Sequence, residues 1–128
     1  MKAYSWIFLT VTEQPTSLQD IVGVADFINH AIPTQNELQV SLGWLQAQGL
    51  IKKEEGNYLL TEAGVTLRKS VSHKRKIFDQ WDAVDAKFSQ MPKIAVQPED
   101  ISAAEVDTAY KDYVKQIWKK KPSTDKEK

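Results

Sequence analysis

The stretch from Pro33 to Gly64, PTQNELQVSLGWLQAQGLIKKEEGNYLLTEAG, decides how this chain folds. Pro33 stops whatever helix precedes it, because its ring cannot continue one. Thr34-Gln35-Asn36-Glu37 is a capping-box pattern, in which the Thr34 hydroxyl and the Glu37 carboxylate each satisfy an orphan backbone N–H. Leu38, Leu42 and Leu45 then share one face, predicting a helix over 35–48 that Gly49 ends. Leu50-Ile51-Lys52-Lys53 and Tyr58-Leu59-Leu60 flank Glu54-Glu55-Gly56-Asn57, which predicts a two-stranded hairpin over 50–61.

Upstream, Ser17 with Asp20 three residues on marks a helix N-terminus. Leu18, Ile21, Val22, Ala25, Ile28 and Ala31 follow at three- and four-residue spacing, so 18–30 is a helix with a buried stripe. Residues 4–12, with Tyr4, Trp6, Ile7, Phe8 and Val11, read as a short apolar helix, a strand being the alternative. Glu13-Gln14-Pro15-Thr16 breaks the chain between the two. Downstream, Leu67, Val71, Ile77, Phe78, Trp81, Val84 and Phe88 supply the apolar positions of a helix over about 64–90. Met91-Pro92 and Pro98 bracket a linker. Ser102-Ala103-Ala104-Glu105 is a further capping box, opening a helix over 103–119 whose apolar residues are Val106, Tyr110, Val114, Ile117 and Trp118. The charged, proline-containing segment 119–128 is predicted to be disordered.

Helix, turn, helix and two-stranded ribbon in that order make the expected fold class mostly α with a small β-wing. It is a winged helix-turn-helix over 1–64, with a C-terminal helical extension over 65–118 for packing or dimerisation. Thr34-Gln35-Asn36-Glu37-Leu38, Leu42, Leu45, Gly49-Leu50-Ile51 and Tyr58-Leu59-Leu60-Thr61-Glu62-Ala63-Gly64 resemble the recognition helix and wing of bacterial winged-helix regulators. The multiple-antibiotic-resistance-regulator (MarR) and PadR types are the nearest in style, over about residues 5–64. That resemblance implies a DNA-binding transcriptional regulator, and a homodimer formed through helices added after the wing.

At about 100° per residue the third helix turns Asn36, Gln39, Val40, Gly43, Trp44 and Ala47 away from its leucine stripe. In a DNA reader this face enters the major groove. Gln35, Asn36 and Gln39 are the candidates for base edges. Lys52 and Lys53, with Arg68, Lys69, Lys74 and Arg75 from the basic cluster of residues 68–76, are the candidates for phosphates. Against this, no lysine or arginine lies between Thr34 and Gln48, and Glu54 and Glu55 occupy the wing tip. Residues 1–64 hold three basic and seven acidic residues, a net of −4, although the whole 128-residue chain is neutral. Nonspecific DNA affinity comes mainly from phosphate neutralisation, so this half is poorly charged for it.

The alternative is a winged helix used for protein–protein contact, with Val40, Trp44 and Ala47 as an apolar patch. Three readings of Trp44 stand open: core covered by the chain's own helices, partner interface, or groove contact. Ile77, Trp81, Val84 and Phe88 have the spacing of a packing seam, for a second copy or for the chain's own first or last helix. The expected partners are therefore duplex DNA, a second copy or another protein.

With no cysteine, and with His30 and His73 as the only histidines, thiolate zinc sites and cysteine nucleophiles are excluded. There is no glycine-rich phosphate loop, Ser/His/Asp set or HExxH motif. Asp79, Asp82, Asp85 and Glu105 lie at helix-surface spacing, and His30 reads as a helix cap. The expectation is no catalytic residue, no metal, no cofactor and no enzymatic activity. The longest apolar run, Trp6 to Leu9, is too short for a membrane span or a signal-peptide core, so no membrane association is expected and the expected location is cytoplasmic.

Overall fold

The computed structural model describes residues 2–120, with side chains from 3 to 117. The elements are α1 (Lys2–Phe8), α2 (Leu18–Asn29), α3 (Gln35–Ala47), β1 (Ile51–Glu54), β2 (Asn57–Leu60), α4 (Glu62–Val71), α5 (Ile77–Ser89) and α6 (Ala103–Lys120). This is the winged-helix arrangement followed by a helical extension. Capping boxes start α2 at Ser17 with Asp20 and α3 at Thr34 with Glu37. The hydroxyl and carboxylate of the Ser102–Glu105 pair bond the same way before α6. His30 caps α2 with left-handed backbone, its N–H reaching the Asp26 carbonyl. The wing pairs Ile51 with Leu60 and Glu54 with Asn57, leaving a two-residue turn at Glu55 and Gly56. Both turn residues have positive φ, 51° and 82°, as a tight hairpin following the strand twist requires.

The first segment differs from expectation. α1 runs from Lys2 to Phe8 rather than over 4–12. The chain then turns, and Thr12 and Thr16 lie beside β2, through Leu60 N–H to the Thr12 carbonyl and a Thr16–Tyr58 bridge. Within 4–12 the helix forms as far as Phe8 and no strand forms; the bridge to β2 lies beyond it, at Thr16 in the expected break. Arg68 fixes the corner: its guanidinium donates to the carbonyls of Val11 at 3.0 Å and Leu9 at 3.4 Å.

The helix expected over 64–90 is two helices, broken at Ser72 to Lys76. At about 100° per residue the apolar positions 67 and 71 lie about a quarter of a turn from the stripe of 77, 81, 84 and 88, so one straight helix would spread its apolar face too widely to meet a single neighbour. The break lets α5 swing back onto α1. Ser72 takes the Lys69 carbonyl at 2.9 Å, which competes with continuing the ladder.

α1 is the centre of the core. Its Trp6 indole donates to the Ala25 carbonyl of α2 at 3.0 Å. Phe8 meets Phe88 of α5 at 5.4 Å between ring centres, and Trp6 meets Trp81 at 6.1 Å. Trp81, Val84 and Phe88 are buried within the chain, so three members of the seam considered for a second copy pack on the chain's own first helix, and Ile77 is half-buried. α6 lies along α2 and extends to Lys120, one residue past its expected end. The expected disorder beyond that point falls outside the described residues. Among the described residues no helix is long and apolar enough to cross a membrane.

Candidate functional site

Trp44 is 7% exposed. Tyr4 stacks on it at 4.5 Å and 12°, and Phe88 packs against it at 4.9 Å. Of the three readings, Trp44 is core closed by α1 and α5. Val40 is half-buried, while Asn36 and Ala47 are exposed. The apolar patch of Val40, Trp44 and Ala47 is thus reduced to a narrow ridge.

The remainder of the outward face is crossed by residues 91–101, a strap without helix or strand that joins α5 to α6. Every glutamine between Thr34 and Gln48 gives its side-chain amide to this strap. Gln48 donates to the Pro92 carbonyl at 3.1 Å, Gln39 to the Glu99 carbonyl at 3.2 Å and Gln35 to the Ile101 carbonyl at 2.9 Å. Gln46 donates to the Glu99 carboxylate at 2.8 Å. In return, the Glu99 N–H donates to the Gln39 carbonyl at 2.9 Å. Gly43 marks the crossing: a Cβ there would collide with the Gln97 carbonyl oxygen and stand 3.1 Å from the Pro98 Cα. Glycine inside a helix costs about 1 kcal/mol against alanine, and close approach of the strap is its structural reason.

Glu99 is where strap, helix and wing meet. Its carboxylate accepts from Tyr58 Oη of β2 at 2.7 Å and pairs with Lys53 Nζ of β1 at 2.8 Å. Burial pushes the Glu99 carboxyl up, but the hydrogen bonds from Lys53, Tyr58 and Gln46, with the Lys53 charge, outweigh it and hold the group below the usual carboxylate range. Burial first, and the facing carboxylate second, push the Tyr58 phenol well above its ordinary value. Tyr58 therefore stays a neutral donor.

The candidates for phosphate contact separate. Lys53 is engaged with Glu99, and Lys52 pairs with Glu54 at 3.1 Å. Arg68 is committed to the corner after α1, and burial pulls its pKa down. Lys69, Lys74 and Arg75 are exposed on the end of α4 and the turn to α5. Of the base-edge candidates, Gln35 and Gln39 hold the strap and Asn36 remains exposed. Reading the sequence missed the strap residues Gln97, Pro98 and Glu99 and the anchor Tyr58. The signals for them were Gly43 within a helix and the prolines 92 and 98, which keep the connection extended.

Two further features bear on chemistry. Among the described residues no cluster of three or more His, Asp or Glu side chains is placed to hold a metal ion. A groove of about 390 Å³ between α2 and α6 is lined by Thr10, Thr12, Gly23, Val24, Tyr113 and Ile117 among others. Its side is fixed by Tyr113 Oη donating to the Asp26 carboxylate at 2.6 Å. Burial, then that hydrogen bond, pushes the Tyr113 phenol up to about 12. No protein-family model, curated protein or solved structure matches the chain.

Proposed function

We propose that this chain is a winged-helix protein-interaction module, not a reader of duplex DNA through its third helix. The observation that carries this is the use of all four glutamines around α3 on polypeptide: three on backbone carbonyls and one on a carboxylate. A base-reading amide must be free to bond bidentately to an adenine edge. Gln35 and Gln39 do so only if the strap leaves. The wing adds no phosphate contact, since its lysines are paired and its tip carries Glu54 and Glu55. The module has no catalytic role in this reading.

A second reading keeps the regulator function that the resemblance to MarR- and PadR-type proteins implies. Lys69, Lys74 and Arg75, exposed beside His73 and Lys76, favour it as phosphate contacts. Titration of the full chain with random duplex DNA across a salt series separates the two. The interaction module shows no saturable binding even at low salt. Binding that is micromolar or tighter and weakens steeply with salt would establish phosphate contacts and return the regulator reading to first place.

A further inference from the structure

The contacts that hold the strap are those of peptide recognition. Side-chain amides of α3 and of its C-cap Gln48 take carbonyls at Glu99, Ile101 and Pro92, and one N–H returns to a helix carbonyl. These bonds read an extended main chain whatever its side chains. One side chain is read specifically, the Glu99 carboxylate held by Lys53, Tyr58 and Gln46. Gly43 provides the clearance for a backbone to lie directly on the helix.

The strap is also largely open to water. Seven of its eleven residues, Pro92 to Ala95 with Gln97, Pro98 and Asp100, are exposed, and Ile101 alone is buried. Between its apolar anchors, Met91 and Val96 packed against the core and Ile101 within it, the strap is held by hydrogen bonds and one ion pair near the surface, where such bonds exchange readily with water.

We propose that α3 and the wing form a peptide-reading groove which the strap occupies in cis. Its partner is another protein's extended, proline-flanked acidic segment, with a glutamate seated in the Lys53–Tyr58–Gln46 pocket. This rests on the interaction-module reading and names the chemistry of its partner. The strap, covalently linked, competes at an effective concentration of roughly millimolar, so the native chain binds only partners that outcompete it. Removing the strap's own glutamate gives a segment that carries one the advantage.

The probe is a fluorescent peptide with the sequence of residues 91–101, titrated by polarisation into the full native chain and its Glu99→Ala variant. The variant is expected to bind the peptide at least about tenfold more tightly than the native chain. Replacing the peptide's glutamate by alanine should abolish the gain. Adding Gly43→Ala to the Glu99→Ala chain should abolish it too, with circular dichroism showing that both chains stay folded. No binding by a folded Glu99→Ala chain overturns the proposal, as does binding indifferent to the peptide's glutamate. Concentration-dependent dimerisation of the variant that excludes the peptide would also overturn it, in favour of strap exchange between copies. Duplex DNA is titrated into the same variant. Absence of both peptide and DNA binding removes the proposed partner alone. Salt-sensitive DNA binding without peptide binding removes the interaction-module reading as well.

Discussion

α2 and α3 are of nearly equal length, and each turns a large aromatic residue away from its leucine- or isoleucine-rich stripe. On α2 it is Phe27, which is 80% exposed; on α3 it is Trp44, at 7%. Neither helix decides this by itself. α6 lies on α2 through Tyr113, whose ring stands 2.8 Å from where a Gly23 Cβ would be, and passes Phe27 by. On α3, Tyr4 and Phe88 close over Trp44 from two other helices, and the strap covers the flank beside it. A second layer supplied by remote parts of the chain converts one outward face into core and leaves the other at the surface.

The largest expected effect breaks the comparison on the α3 side. Trp44→Ala removes a ring packed between Tyr4 and Phe88, and the pocket cannot collapse without moving α1 and α5. A loss of about 3–5 kcal/mol of unfolding free energy is expected by urea titration. A loss below about 1 kcal/mol would mean that the aromatic cluster is not a closed core, and that the face of α3 is open in solution.

The part of the fold that local chemistry controls was legible. Ser17, Thr34 and Ser102 start helices because each has an acid three residues on, and Gly49 and Gly56 supply the positive φ at a helix end and a turn. The break at Ser72–Lys76 is not legible in the spacing within either half; it shows only in the offset of about a quarter turn between their apolar stripes. The site was hidden for a different reason. The helical spacing puts Gln39 on the outward face, with Gln35 beside it as a polar candidate, yet nothing local to α3 says that residues 91–101, about sixty positions away, return to meet them. Glu99 lies next to Pro98 in the linker, and no neighbour in sequence marks it out. Its role depends on Lys53 and Tyr58, brought opposite each other by the register of the wing.

A smaller effect sharpens what closes α3. Glu99→Gln keeps the shape of the side chain but removes the charge facing Lys53, at an expected cost of about 1–2 kcal/mol near neutral pH. The folded protein holds this carboxyl below its unfolded value of about 4.3, so it favours the ionised form. Its contribution is therefore fully present above the unfolded value and is lost as pH falls through the lower folded one. The stability difference between native chain and variant should be constant from pH 7 to about 5 and shrink below about 4. A difference that persists unchanged to pH 3 would show that the charge on Glu99 is not what fastens the strap.

The smallest effect belongs to α2 and completes the comparison. Phe27→Ala removes a ring of similar bulk from an outward position on a neighbouring helix, but water already reaches most of it, so little apolar burial is lost. Alanine is also the better helix former by several tenths of a kcal/mol. The two terms nearly cancel, and the unfolding free energy should change by less than about 0.5 kcal/mol in either direction. A loss approaching that of Trp44→Ala would mean that Phe27 is covered in solution by something outside this chain's described fold. Concentration-dependent stability of the native chain, absent from the variant, would identify that cover as a second copy.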